Sequence, residues 1–187
     1  MMIWIISGIG ALLLLWVIVT YNGLARFRLR VRKAWAQVDV QLKKRLDLIP
    51  NLVATVQGFA SHERGTFEAI TNARAMAGAG GGNNRDMAQI AQADAAMSGA
   101  LSRLLVTVEN YPQLRADQNF LKLQRDLAEI ERQIGFARKF YNEAVLRFNE
   151  RRVVFPRVIV AALLGFREEQ FFEAPPEARV APVVSFN

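Results

Sequence analysis

The sequence predicts an all-α protein, in which an N-terminal single transmembrane helix precedes a long-helix antiparallel (up-and-down) bundle and a short docked C-terminal tail. Residues 1–25 contain no charged side chain and are long enough to span a bilayer as one helix. Apolar residues then recur about every 3.6 positions in residues 31–63, as on one helix face. In residues 118–155 they recur about every 3.5 positions, which is the spacing of a coiled coil. We therefore assign residues 1–25 to a transmembrane anchor, residues 26–156 to a cytoplasmic helical bundle and residues 157–187 to an apolar, extended tail.

The flanks of the apolar run indicate a retained anchor and its orientation. No basic residue precedes the run and no A-x-A cleavage site follows it, as a cleaved signal peptide would require. The formal net charge is +7, and residues 24–45, with eight basic residues and one acidic residue, account for all of it. Because this excess lies on the C-terminal side, the positive-inside tendency places the N-terminus outside and the bundle in the cytoplasm. Five basic residues lie close enough to the bilayer to contact its surface: Arg26, Arg28, Arg30, Arg32 and Lys33.

The first long periodic segment continues directly from the anchor. Its apolar stripe consists of Val31, Trp35, Val38, Leu42, Leu46, Ile49, Val53, Val56 and Ala60. Pro50 interrupts the segment, but the stripe stays in phase through Phe59, which predicts a helix kink at Pro50 and not a helix end. The basic residues Lys43, Lys44 and Arg45 fall mostly off the stripe.

Turn signals divide the rest of the bundle. The glycine-rich residues 78–84 form a connector, and they lack the preceding strand and following Gly-Lys-Ser/Thr of a phosphate-binding loop. Helical periodicity resumes over residues 85–110. Asp117 is placed as the N-cap of the last long helix, and Phe155-Pro156 ends that helix.

The tail is richer in large apolar residues than a disordered segment. Residues 158–164 form an apolar run too short to span a bilayer, which predicts docking on the bundle or at an interface. The chain after Gly165 is predicted to be extended and docked on its own bundle or on a neighbouring subunit. The candidate assembly or partner contacts are Phe166, Phe171, Phe172, Val183, Val184 and Phe186.

The composition excludes most kinds of catalytic site. The absence of cysteine removes disulfides, thiolate nucleophiles and cysteine metal sites. His62-Glu63 resembles the start of a zinc-protease motif, but Thr66 stands where the second histidine would be needed. Aromatic residues beside basic ones in residues 138–148 resemble base-stacking surfaces, but no nucleic-acid-binding signature accompanies them. We therefore expect no catalytic residues, no cofactor, no metal and no nucleic-acid partner.

Several runs together resemble the LemA family of bacterial membrane proteins. They are AWAQVDVQLKKRLDLIPNLVATVQGFASHE from Ala34, ENYPQLRADQNFLKLQ from Glu109, EIERQIGFARKFYNEAV from Glu129, and the pairs Phe155-Pro156 and Gly165-Phe166. The chain departs mildly at Gln57 and Phe59, where the family often has lysine and tyrosine. The resemblance implies a short outside N-terminus, one spanning helix in the bacterial inner membrane, a cytoplasmic antiparallel bundle and no established enzymatic activity. One relative is associated with forming magnetosome membranes, and others are often encoded near a membrane-bound zinc protease.

Three functional hypotheses follow. The first is a non-catalytic scaffold or adaptor that forms a homo-oligomer or organises membrane-protein partners, a membrane protease among them. The second is a membrane-shaping or lipid-binding protein, like the magnetosome-associated relative, acting through residues 26–33 and 158–164. The third and most remote is a hydrolase built on Asp39 and Asp47, whose basic neighbours favour simple ion pairs instead.

Overall fold

A computed structural model of the chain describes residues 1–60, 62–79 and 87–172. These residues form helices and no strand, so the all-α prediction is confirmed. The helices are α1 (Met2–Gln57), α2 (Arg64–Ala79), α3 (Met87–Val108), α4 (Pro112–Arg115), α5 (Gln118–Val153) and α6 (Arg157–Leu163). The two long periodic segments correspond to α1 and α5. Of the predicted connector at residues 78–84, the first two residues end α2 and the others lie outside the described residues.

The chain divides into two compact units. Unit 1 comprises Met1–Val38 and Ala137–Phe171, and unit 2 comprises the described residues from Asp39 to Phe136 together with Phe172. Both long helices contribute to both units. The functional division at residues 25 and 156 stays a prediction.

Unit 1 is built on the antiparallel pairing of α1 with α5. The Trp35 and Tyr141 rings meet edge to face with their centroids 5.5 Å apart, and the Arg151 guanidinium carbon lies 4.1 Å from the centroid of Phe27. Moving back along α1 from Trp35 to Phe27 thus moves forward along α5 from Tyr141 to Arg151. The pairing buries the predicted stripes: Val31, Trp35 and Val38 on α1, and Tyr141, Val145 and Phe148 on α5.

Unit 2 has its own hydrophobic core, in which α2 packs against α3. Its larger buried side chains are Ile49, Leu52, Val56, Ile70, Met97, Leu101, Leu104, Leu114, Phe120 and Leu127. α5 begins beside this core, where the Asp117 carboxylate accepts a hydrogen bond from the Phe120 amide at 2.8 Å. Because that amide has no partner within the helix, this contact confirms Asp117 as the N-cap.

The first helix ends earlier than its stripe predicted. α1 continues through Pro50 and ends at Gln57, about one and a half turns before residue 63. Phe59 therefore lies in the turn after the helix, where it is exposed, whereas Ala60 is buried. The predicted kink at Pro50 stays a prediction.

Arg45 is buried, although it was placed mostly off the stripe. Its side chain is 3% exposed. Nη2 donates to the Asp94 carboxylate at 2.6 Å, and Nη1 donates to the Glu131 carboxylate at 3.0 Å and to the Ser98 hydroxyl at 3.2 Å. Arg45 lies four residues before Ile49, on the same helix face, and acids on α3 and α5 make its burial tolerable because a buried charge needs compensation.

This buried cluster (Arg45, Asp94, Ser98 and Glu131) joins three helices at one point of unit 2. Asp94 is as deeply buried as Arg45, whereas the Glu131 side chain is 36% exposed. The pair with Asp94 is therefore the part that solvent screens least. Removing one partner of such a pair leaves an uncompensated buried charge, which costs more than the pair itself contributes.

We expect Asp94→Asn to lower the free energy of unfolding by about 3 kcal/mol, because Arg45 would lose its buried counter-charge. The measurement is chemical unfolding of the full chain in mild detergent, followed by far-ultraviolet circular dichroism. Asp47→Asn is the matched control, since this exposed aspartate lies on the same helix as Arg45. The control should change the free energy by less than about 0.5 kcal/mol. Equal effects of the two substitutions would contradict the structural role of the cluster.

Candidate functional site

The N-terminal part of α1 is the candidate spanning segment. Among the described residues, α1 is the one helix that is both long enough and apolar enough to cross a membrane. None of its most apolar stretch is buried within the chain, and Ile3, Leu12 and Leu14 are all more than half exposed. So long an uncovered apolar surface is typical of a surface that lipid covers.

A second apolar surface lies in unit 1 near the end of the candidate spanning segment. We call residues 153–164, which comprise the last residue of α5, the following turn, α6 and its C-cap Leu164, the α5–α6 corner. The Phe155–Pro156 peptide bond in its turn is cis. Seven of its large apolar side chains are between 38% and 78% exposed: Val153, Val154, Phe155, Val158, Ile159, Leu163 and Leu164. Exposed apolar residues in such a continuous stretch indicate an interaction surface.

Gly165 turns the chain back onto unit 1 directly after α6. Its φ of +70° is accessible to glycine without strain, and the Phe166 amide donates to the Ala161 carbonyl at 2.9 Å, as in a Schellman motif. The Phe166 ring then packs against Tyr21 and Phe148, with centroids 5.6 Å and 6.4 Å away. The Gly165-Phe166 pair therefore sets the position of the corner against α1.

The residues after Phe166 are tied to α5 by polar contacts. The Asn149 side-chain amide donates to the Glu169 carbonyl at 2.9 Å, and the Glu169 amide donates back to the Asn149 carbonyl oxygen at 3.1 Å. The Tyr141 hydroxyl donates to the Gln170 carbonyl at 2.8 Å. This part of the tail is extended and docked on its own bundle, one of the two arrangements that the sequence left open.

Docking within the chain affects the predicted assembly contacts. Phe166 and Phe172 are 7% and 5% exposed, which leaves little of either ring for another subunit. Phe171 is half-buried. The predicted assembly role of the tail therefore falls to Phe171 and to three residues outside the described part of the chain: Val183, Val184 and Phe186.

The five predicted membrane-surface residues occupy different environments. Arg28 forms an ion pair with Glu169 at 3.1 Å, and the Arg30 guanidinium lies 4.7 Å from the centroid of Phe27. The other three are exposed: Arg26, Arg32 and Lys33. Two further basic residues, whose importance the sequence did not reveal, lie at the same end of unit 1. They are Arg151, stacked on Phe27, and Arg157, at the start of α6.

The polar residues considered as catalytic or metal-binding groups do not form a common site in the described part of the chain. Asp39 and Asp47 are exposed, and the described residues contain no group of three or more His, Cys, Asp or Glu side chains that could hold a metal. Glu63 accepts a hydrogen bond from the Tyr111 hydroxyl at 3.1 Å, while His62 is exposed. This hydrogen bond to a carboxylate raises the pKa of the Tyr111 phenol above its ordinary value, because the bond stabilises the protonated form. The contact ties together the turns that follow α1 and α3.

Comparison with known proteins places this architecture in a family. The LemA family pattern matches residues 34–186. Magnetosome protein MamQ 2 and magnetosome protein MamQ 1 of Paramagnetospirillum magneticum are each 23% identical over 191 residues, which cover 90% of this chain and 70% of each relative. Magnetosome protein MamQ of Magnetospirillum gryphiswaldense is 22% identical over the same shares. With a family match over most of its length, a helical bundle and a candidate spanning helix, this membrane-associated helical protein belongs to the LemA family.

Proposed function

We propose that this protein is a non-catalytic, single-pass scaffold that rests its α5–α6 corner on the bilayer and holds copies of itself or other membrane proteins. In this proposal the N-terminus lies outside, and the bundle lies on the cytoplasmic side of the bacterial inner membrane. The single observation that carries the proposal is the exposed apolar surface of the corner, beside the end of the candidate spanning segment.

The apolar composition of α6 on both faces supports this placement. Val160 and Ala161 are buried, whereas Ile159 and Leu163 are 49% and 78% exposed. A helix that is apolar on all sides is normally enclosed by protein or by lipid. Because α6 has only seven residues, lipid would cover it in the interface and not across the bilayer.

The contacts with α1 set the depth of the corner. Phe166 packs on Tyr21, and Thr20 is 7% exposed although it ends the apolar run. Other parts of the chain therefore already cover α1 at Thr20, which lies six residues before Arg26, the first basic residue of the helix. Full burial of Phe155 and Leu163 in lipid would contribute about 3–6 kcal/mol. That is sufficient to hold the corner down, because α1 already confines the chain to the membrane and little further freedom is lost.

We expect a fluorophore on Leu163→Cys to be quenched by lipids that carry a quencher on the acyl chain. The reason is that Leu163 would lie within the outer part of the hydrocarbon. The chain has no native cysteine, so one substitution gives one label. The measurement uses the full chain reconstituted into vesicles.

Lys139→Cys is the matched control for this experiment, because Lys139 lies outside the surface proposed below for contacts between copies. Lys139 is also exposed in unit 1, but it lies about 20 Å along α5 from Val153. Its label should respond to a water-soluble quencher instead. Equal exposure of both labels to the water-soluble quencher would contradict the docking of the corner.

Self-assembly is the second part of the proposal. Apolar side chains exposed on the long helices of unit 1 supply surface for contacts between copies: Leu29, Phe140 and Leu146. We expect light scattering of the full chain in mild detergent to give one discrete mass above that of a single copy. Phe140→Ser should lower this mass, whereas Lys139→Ser at the neighbouring exposed position should not. A single-copy mass in the parent chain would remove self-assembly and leave an adaptor for other membrane proteins.

Membrane shaping is the second candidate function, and the same corner favours it. An apolar wedge that enters one leaflet shallowly widens that leaflet and favours curvature. We expect vesicles reconstituted with the full chain to become smaller or tubular in electron micrographs, and Phe155→Ser with Leu163→Ser to abolish the effect. If the vesicles keep their size and shape, membrane shaping is rejected and only the scaffold function remains.

A further inference from the structure

An open cavity of about 480 Å³ lies in unit 1 between α1 and the start of α6. Its lining includes Trp16, Thr20 and Asn22, at the end of the apolar run. It also includes three arginines: Arg26 from α1, Arg151 from α5 and Arg157 from α6. None of the described residues that line the cavity is acidic. Three like charges around one open space create a strong attraction for an anion.

Two acids of unit 1 are paired with arginines that do not line the cavity. Glu169 pairs with Arg28 at 3.1 Å, and Glu168 pairs with Arg152 at 2.9 Å. In the described part of the chain, Arg26 and Arg157 have no acidic partner. Among the described residues, the charges of these two arginines are therefore not neutralised by an ion pair.

Arg151 is held in place by stacking. Its guanidinium carbon lies 4.1 Å from the centroid of the Phe27 ring, and Arg30 contacts the same ring at 4.7 Å. Stacking uses the flat face of a guanidinium and leaves its edge donors available for a planar or tetrahedral oxyanion. Arg151 thus presents donors without needing to be ordered when the ligand binds.

The cavity extends across the end of the apolar run of α1. Trp16 and Arg26 are ten residues apart on α1, or about 15 Å along the helix. Trp16 belongs to the apolar run, whereas Asn22 and Arg26 follow it. A ligand that fills the cavity must therefore be apolar at one end and anionic at the other, as a phospholipid is.

We propose that this cavity binds one anionic phospholipid, with the phosphate held by Arg26, Arg151 and Arg157 and an acyl chain lying along Trp16. Arginine binds phosphate oxygens in pairs through its planar fork, which gives each contact geometric as well as electrostatic selectivity. The proposal rests on the spanning role of α1, which the proposed function also assumes, but it requires neither docking of the corner on the bilayer nor self-assembly nor membrane shaping.

The test is calorimetric titration of the full chain in mild detergent with dioctanoyl phosphatidylglycerol, a short-chain anionic phospholipid. We expect saturable binding of one lipid per chain, and about tenfold weaker binding for Arg157→Gln and for Arg26→Gln. Arg157→Lys keeps the positive charge but loses the planar pair of N–H donors of the guanidinium. The affinity of this variant for the lipid should therefore lie between those of the parent and Arg157→Gln.

Arg32→Gln is the matched control, because Arg32 is exposed on α1 in the same basic cluster but does not line the cavity. Its affinity should equal that of the parent. Equal weakening by Arg32→Gln and Arg26→Gln would show a diffuse surface charge and overturn the site. Equal binding of dioctanoyl phosphatidylcholine would overturn the selectivity for an anionic lipid. Full competition by inorganic phosphate would overturn the lipid as occupant and leave a site for free phosphate.

The outcome is separable from that of the proposed function. Lipid binding in detergent reports on the arginines of the cavity, whereas quenching of a label at Leu163 in vesicles reports on the docking of the corner. A specific lipid with an undocked corner, or a docked corner without a specific lipid, would each reject one proposal and keep the other.

Discussion

The antiparallel pairing of α1 with α5 is the constraint on which unit 1 depends. A spanning helix that continues beyond the bilayer as an amphipathic helix carries its apolar stripe into water, and α5 covers that stripe around Trp35. Because α5 runs antiparallel to α1, its C-terminal end returns towards the spanning segment. Residues that are far from the anchor in sequence, such as Arg157, are therefore placed beside it. The pairing that removes apolar surface from water also brings the α5–α6 corner beside the end of the candidate spanning segment.

The arginines of the two units have different electrostatic environments. In unit 2, Arg45 is enclosed by acids from α3 and α5, so the protein supplies the compensation internally. In unit 1, the arginines of the cavity near α6 are exposed and lack such acids. The first arrangement suits a fixed junction between three helices. The second leaves positive charge that no ion pair among the described residues balances, and we propose that an anionic phospholipid balances it.

The proposed attachment at two points would distinguish this protein from a simple anchored domain. A spanning segment alone would leave a bundle free to rotate about one connection, whereas a docked corner would add a second contact whose local concentration is set by the first. Under this proposal, each exposed apolar residue of the corner contributes to orientation and not to recruitment. A scaffold benefits from such orientation because its partner surfaces then face in a defined direction along the membrane. The magnetosome proteins similar to this chain share most of its length, but the identity is too low to transfer a role.

Much of this architecture is determined by sequence because local patterns encode it. The uncharged apolar run, the stripes of α1 and α5, the Asp117 cap and the basic cluster each depend on residues within a few turns of one another. The burial of Arg45 was missed because the charges that compensate it lie 49 and 86 residues away. The docking of Phe166 on Tyr21 and the meeting of Arg26, Arg151 and Arg157 likewise depend on how helices pair, which periodicity does not specify. The sequence by itself determined that the chain is helical and that it carries a candidate spanning segment. The tertiary structure alone decided which distant charges meet, because a residue's electrostatic environment is made by its neighbours in space.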